Sequence, residues 1–278
     1  MALGWGSSAE VVHAAETDPD AWENVIQASI QYQTTVGRGL LIEGGIYPSH
    51  IGFETLATAA NWNYTRSWLG ELSPYYQTGV KLALPLSPRW STQVHLLNGW
   101  QVIEDNNRSP SLGWQFAFAG DELSFSFNGI VGPELPDDDD DLRTLYDTVA
   151  VWKATETFRL GLSVDVGRQE LPSGGHAAWQ GVGVYGRCAP PAWRTAIALR
   201  AEYYDDEDGA ISATPQTLRE VTATVEHRPV ETLILKLEGR YDRSTADVFA
   251  GNAVDASGVV VRDQRDQLLF LIGVVAQF

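Results

Sequence analysis

The sequence predicts an all-β protein, an antiparallel up-and-down transmembrane β-barrel, and three observations carry that prediction. Segments of about ten residues with period-two alternation recur from Asn24 to the C-terminus, separated alternately by short turns and longer polar loops. The composition pairs ten Trp, ten Tyr and nine Phe with 26 Gly, a balance that suits strands and tight walls. No stretch approaches the roughly 18 uninterrupted apolar residues that a membrane helix requires.

About thirteen strands follow from the alternation and its punctuation, with 14 or 16 expected for a complete bacterial barrel because such barrels are even-numbered. Segments 24–35 and 38–48 flank the turn Val36-Gly37. Segment 74–86 opens on Tyr75-Tyr76, and Ser87-Pro88-Arg89 joins it to 90–103, which carries Trp90 and Trp100 near its ends. In 111–120, Leu112, Trp114, Phe116 and Phe118 share one face, opposite Gly113, Gln115, Ala117 and Ala119. After Asp121-Glu122, 123–132 sets Leu123, Phe125, Phe127 and Val131 against Ser124, Ser126 and Asn128. Segment 142–154 ends near Trp152, and Thr155-Glu156-Thr157 leads to 158–168, where Leu160, Leu162, Val164 and Val166 oppose Arg159, Gly161, Ser163 and Asp165. Segments 177–188 and 194–204 flank Pro190-Pro191-Ala192, and 217–228 and 232–243 flank Pro229-Val230-Glu231. The last segment, 266–278, aligns Leu268, Phe270, Ile272, Val274, Ala276 and Phe278.

Alternation alone does not say which face is inside. Segment 232–243 sets Leu233, Leu235, Leu237 and Tyr241 against Lys236, Glu238, Arg240 and Asp242. A soluble sandwich turns its oily face inward, whereas a membrane barrel turns it to lipid and keeps charge and glycine for the lumen. Aromatics at segment ends fit interfacial girdles, and a terminal Phe278 on an amphipathic strand fits a membrane-insertion signal read by barrel-assembly machinery. On this phase the pore-lining candidates are Lys81, His95, Arg159, Asp165, Arg200, Glu202, Glu220, Glu226, Lys236, Glu238 and Arg240. Both signs are present, so they either face one another across a polar eyelet or pair along the wall.

Two regions follow: an irregular N-terminal segment, 1–23, and a barrel domain, 24–278. The short links fall on the periplasmic side, and the long ones, at 49–73, 104–110, 133–141, 169–176, 205–216 and 244–265, on the extracellular side. With the final strand ending in the periplasm, 24–35 must begin outside, so at least one strand is expected upstream. The start, Met1 to Glu10, has neither a basic nor an apolar leader region, so the signal peptide is expected to belong to the same missing N-terminal part.

Several stretches resemble the OmpL-like β-barrel porin-2 family: Asn61-Trp62-Asn63-Tyr64-Thr65-Arg66-Ser67, Pro74 to Val80, Asn98-Gly99-Trp100, Glu104 to Asn107, Gly132-Pro133-Glu134, Arg200 to Asp206 and Glu238 to Ser244. Their order spans nearly the whole chain. The resemblance implies a porin of the bacterial outer membrane, with a signal peptide and further strands ahead of this starting point. It implies no catalytic residue. The function expected is passive diffusion of small hydrophilic solutes or ions through a water-filled lumen. The alternative is a non-conducting barrel acting as scaffold, adhesin or sleeve for a partner. Expected partners are outer-membrane lipid, lipopolysaccharide and the assembly machinery, with a homo-oligomer left open.

The remaining features have plain readings beside the functional ones. A net charge of −17, from 19 basic and 36 acidic residues, argues against nucleic-acid binding. Cys188 is unpaired, so no disulfide framework exists. The acidic run Asp137 to Asp141 is either a divalent-cation site or a solvated loop lacking the glycine and distant glutamate of a calcium loop. The 49–73 loop, with Trp62, Tyr64, Trp68 and Arg66, is either an inward constriction or an interfacial lid. His13, His50, His176 and His227 lack zinc-site spacing, and His95 has no nucleophilic serine beside it, so no enzyme, metal or cofactor is expected. A soluble sandwich would require Trp114, Phe116 and Phe118 to pack against Phe125 and Phe127 in a dry core.

Overall fold

The structure is a computed structural model that describes residues 1–6, 12–13, 19–254 and 260–277. Its strands are β1 (Ala2–Leu3), β2 (Val25–Gln33), β3 (Leu41–Pro48), β4 (Tyr76–Pro85), β5 (Trp90–Leu97), β6 (Ser111–Ala119), β7 (Leu123–Pro133) and β8 (Leu142–Lys153). They continue as β9 (Phe158–Glu170), β10 (His176–Cys188), β11 (Thr195–Asp206), β12 (Gln216–Val230), β13 (Leu233–Ser244), β14 (Phe249–Val254), β15 (Val260–Gln264) and β16 (Asp266–Ala276). Among the described residues, two single-turn helices, α1 (Pro19–Trp22) and α2 (Trp68–Glu71), interrupt the loops. Among the described residues no helix is long and apolar enough to cross a membrane.

Fourteen strands make one antiparallel sheet in the order β1 to β13 and then β16, so neighbours along the chain are neighbours in space. The thirteen expected segments reappear as β2 to β13 and β16. The segment expected at 90–103 stops at Leu97, because Asn98 turns the chain and its Nδ2 donates to the Ile103 carbonyl at 2.8 Å. The β14–β15 hairpin has an irregular register, which breaks the period-two signal, and β1 is only two residues long. Both escape a reading based on alternation. Phe278 lies outside the described residues.

The two faces of the sheet differ in kind. On β9 to β13 the exposed face is aliphatic, with Val184 51%, Leu199 56%, Val221 58% and Leu237 57% exposed. Buried side chains of this size are each worth about 1.5–3 kcal/mol in water, so a soluble sheet would not leave a continuous belt of them outside. The opposite face holds Asp165, Arg200, Glu202, Glu220, Glu226, Lys236, Glu238 and Arg240, all buried. Such an inversion of the soluble pattern is what lipid requires, since charge on a lipid face costs about 2–4 kcal/mol at mid-membrane.

The aromatic segments decide against a sandwich. Phe116 pairs with Phe127 across β6 and β7 on the exposed face, and both rings remain about two-fifths exposed, at 41% and 42%. Trp90, Phe118 and Phe125 pack beside one another on that same face, with ring centroids 4.8 to 5.7 Å apart. They form a surface patch of one sheet rather than the interior of two.

The connection from β3 to β4 folds against the charged face. Between residues 50 and 73 it reaches Gln77 on β4, the Gly129 carbonyl on β7, Asp147 on β8, Asp165 on β9, Glu202 on β11 and Glu238 on β13. One short segment can meet all of these strands only if the sheet curls around it.

Candidate functional site

The inward segment is fixed by wall charges that hold its backbone. Glu238 accepts from the Tyr64 N–H at 2.6 Å, the Thr65 N–H at 2.9 Å and the Thr65 hydroxyl at 2.6 Å. Glu202 accepts from the N–H groups of Trp68 and Leu69 at 2.7 and 2.5 Å, where the first turn of α2 leaves donors unsatisfied. Lys236 Nζ donates to the carbonyls of Asn61 and Asn63 at 2.7 and 3.2 Å, and Arg240 Nη1 to that of Arg66 at 2.6 Å. Glu202, Lys236, Glu238 and Arg240 thus each meet a backbone group that would otherwise lose its partner on leaving water.

Arg200 is the centre of the network. Its Nη1 donates to Glu54 Oε1 and to the Thr65 carbonyl, both at 2.7 Å, and its Nε donates to Glu220 Oε2 at 2.7 Å. Glu54 in turn accepts from the N–H and hydroxyl of Ser67 at 2.6 and 2.7 Å. The pairs are shielded from water, so their geometry and extra hydrogen bonds must offset a large desolvation cost.

Side chains of the segment settle over wall glycines. A Cβ at Gly113 would stand 2.9 Å from His50, one at Gly161 2.8 Å from Phe53 and one at Gly181 2.8 Å from Leu69, while Tyr64 covers Gly273. Gly113, Gly161, Gly181 and Gly273 therefore mark where the segment rests on the wall. Phe53 also stacks on Tyr185 with ring centroids 4.1 Å apart.

Beside this filled half, the face of β5 to β7 is lined by neutral polar groups. Gln93 donates to Gln115 at 2.7 Å across β5 and β6, with Ser91, Ser124 and Ser126 half-buried nearby. A cavity of about 220 Å³ lies between this wall and the segment, lined by His50, Glu54, Tyr75, Gln115 and Ser126 among others. A second, of about 390 Å³ and toward the long loops, is lined by Glu71, Trp100, Glu134, Arg143 and Ile211 among others. Ser73 and Tyr75 line both cavities. Arg66 Nη2 pairs with Glu71 at 3.1 Å, its guanidinium lies 4.9 Å above the Tyr75 ring, and the Tyr75 hydroxyl donates to Glu71.

The candidates taken from the sequence fall into three groups. Arg200, Glu202, Glu220, Lys236, Glu238 and Arg240 come together around the inward segment. Glu226 receives Arg187 at 3.0 Å and Arg228 at 2.9 Å near the short turns, Lys81 pairs with Glu43, and Asp165 accepts from Ser73 at 2.9 Å. His95 stacks on His50 with centroids 4.1 Å apart, and Arg159 is exposed near the short-turn end, opposite Lys153 and Arg187 in register. Glu54, Ser67, Glu71, Ser73 and Tyr75, absent from the sequence candidates, occupy the heart of the site.

Two further features stay local. In the acidic run, Asp138 accepts from the N–H groups of Asp140 and Asp141 at 2.8 and 2.9 Å, and these bonds hold its carboxyl below the usual aspartate range. Among the described residues no group of three or more His, Cys, Asp or Glu side chains could hold a metal ion.

Comparison with known proteins agrees with this geometry. A family model described as "Putative beta-barrel porin-2, OmpL-like" matches residues 1–278. An anion-selective porin from Comamonas acidovorans superposes with a TM-score of 0.61 at 12% identity, covering 86% of this chain and 74% of its own. OmpT, an outer membrane protein of Vibrio cholerae folded in vitro, gives 0.59 at 13% identity over 89% of this chain and 88% of its own. OprB of Pseudomonas putida gives 0.58 at 12% identity over 91% and 72%. At these identities the likeness is one of fold. No curated protein matches the sequence.

Proposed function

The chain belongs to the OmpL-like β-barrel porin-2 family of the bacterial outer membrane, and from that premise we propose that it passes small hydrophilic solutes or ions by passive diffusion. The observation that carries the proposal is the inversion of its faces around an inward segment that fills one side of the lumen and leaves the neutral wall of Gln93, Gln115, Ser124 and Ser126 beside it. Solutes would enter among the long loops, cross the cavity beside Glu134 and Arg143, and narrow at Ser73 and Tyr75 before reaching the short-turn, periplasmic end.

Selectivity then comes from the side chains that line the two cavities. The charges on β11 to β13 serve the inward segment, so their field on the passage is largely internal. The passage itself meets Glu54, Glu71, Glu134 and Arg143 beside neutral amides and hydroxyls, which suits small polar solutes with weak charge preference.

A second reading draws on the burial of those same charges. If the segment closed the lumen fully, the barrel would serve as scaffold or sleeve for a partner. Swelling of proteoliposomes in sugars of graded size separates the two readings. Swelling that falls off with sugar size supports the pore, and protein that inserts without any swelling supports the scaffold.

A further inference from the structure

On the exposed face, three arginines gather at the long-loop ends of β12, β13 and β16. Arg219 and Arg243 stand directly opposite each other in register, and Arg265 immediately precedes β16. With Thr217, Ser244 and Thr245 they line a cavity of about 320 Å³. Like charges placed opposite across two strands are destabilising unless an anion lies between them. Arg219 and Arg243 form no ion pair among the described residues, although Asp266 faces Arg243 in register. Arg219 instead lies 5.8 Å above the ring of Tyr203, and Arg265 meets Asp247 at 2.9 Å.

The position matters as much as the charge. One step along each strand toward the membrane, the exposed side chains become Val221, Tyr241 and Leu268, the start of the apolar belt. The cavity therefore sits where belt meets polar rim, at the depth of lipid headgroups. In a chain with 19 basic residues against 36 acidic ones, the lining of this outward cavity has three arginines and no carboxylate.

We propose that Arg219, Arg243 and Arg265 bind the phosphate groups of an outer-leaflet glycolipid headgroup. The guanidinium fork matches phosphate oxygens in pairs, and the hydroxyls of Thr217 and Thr245 supply further donors. Asp205, Asp247 and Asp266 border the same rim, where divalent cations that bridge neighbouring lipid phosphates neutralise them. The proposal rests on the long loops facing outward, but not on conduction.

The test uses the full chain refolded into phosphatidylcholine vesicles, alone, with lipopolysaccharide, with dephosphorylated lipopolysaccharide, or with inorganic phosphate in the buffer. Two quantities are read: lipopolysaccharide retained per barrel after purification, and the midpoint of heat modification on gels. Lipopolysaccharide is expected to be retained and to raise the midpoint, while its dephosphorylated form does neither. Arg219→Gln and Arg243→Gln should each weaken retention about tenfold, the weight of one charge-assisted hydrogen bond, and Arg243→Lys should weaken it less. Equal retention by the doubly substituted protein, or equal protection by the dephosphorylated lipid, overturns the proposal. Protection by inorganic phosphate alone overturns it too, by reducing the cavity to a small-anion site. A barrel that conducts but retains no lipid refutes this proposal alone, and one that retains lipid through the arginines without conducting refutes only the pore.

Discussion

Arg200 and Glu54, separated by 146 residues in the chain, meet at 2.7 Å with both side chains shut off from water. The contact ties the inward segment to β11, and Glu220 on the neighbouring strand completes it. Substituting Glu54 by Ala leaves a buried guanidinium with one carboxylate partner instead of two. The expected loss is about 3–5 kcal/mol, the range for a broken buried pair. Urea unfolding in vesicles measures it, and a cycle with Arg200→Gln should show a coupling of at least about 1.5 kcal/mol.

Leu69 of α2 rests over Gly181 and Gly183 of β10. Gly181→Val would place a side chain where Leu69 lies, and α2 would have to leave the wall. Leu69→Ala should cost about 2–5 kcal/mol, as for other buried leucines, if the contact is as tight as the geometry shows. Protease access to the segment 57–71 in intact vesicles reports the displacement directly. Protection unchanged in the Gly181→Val protein would contradict the seating of α2.

Glu134, just beyond β7, accepts from the Trp100 N–H and the Ser111 hydroxyl, both at 2.6 Å. Burial raises its pKa above the usual carboxylate value. A group raised in the folded state contributes stability that is complete below its unfolded pKa and lost as pH rises through the folded one. The barrel should therefore lose stability as pH rises above the usual carboxylate range, and Glu134→Gln should flatten that slope. Heat-modification midpoints across this range test both statements. A slope identical in the two proteins would assign it to other groups.

Much of the architecture is legible in the sequence because period-two alternation is local. Leu160 to Val166 against Arg159 to Asp165 reads directly as one face and the other, and the structure keeps that phase on β9. The polarity of the faces could be read as well, from Lys236, Glu238 and Arg240 opposing Leu235, Leu237 and Tyr241. What stayed open is the path of residues 49–73, because its partners lie far off in sequence. Glu238 meets Thr65 across 173 positions and Ser73 meets Asp165 across 92, and no spacing rule links such pairs. Glu54 gave no signal because it is one acidic residue among 36, and only the register of β11 and β12 shows that it completes an arginine. The glycines Gly113, Gly161 and Gly181 did carry a trace, since each sits on the polar face of its strand where a lumen would have room for side chains.

Single-channel recording in planar bilayers, with the refolded chain beside a variant carrying Glu202→Gln and Glu238→Gln, reads the pore and its constriction together. Stable, small conductance steps are expected for the unsubstituted protein, and larger, noisier steps once those carboxylates no longer hold the backbone of residues 64–69. Identical steps in both proteins would contradict the segment as the constriction. Inserted barrels that never conduct, with or without the substitutions, would contradict the pore itself.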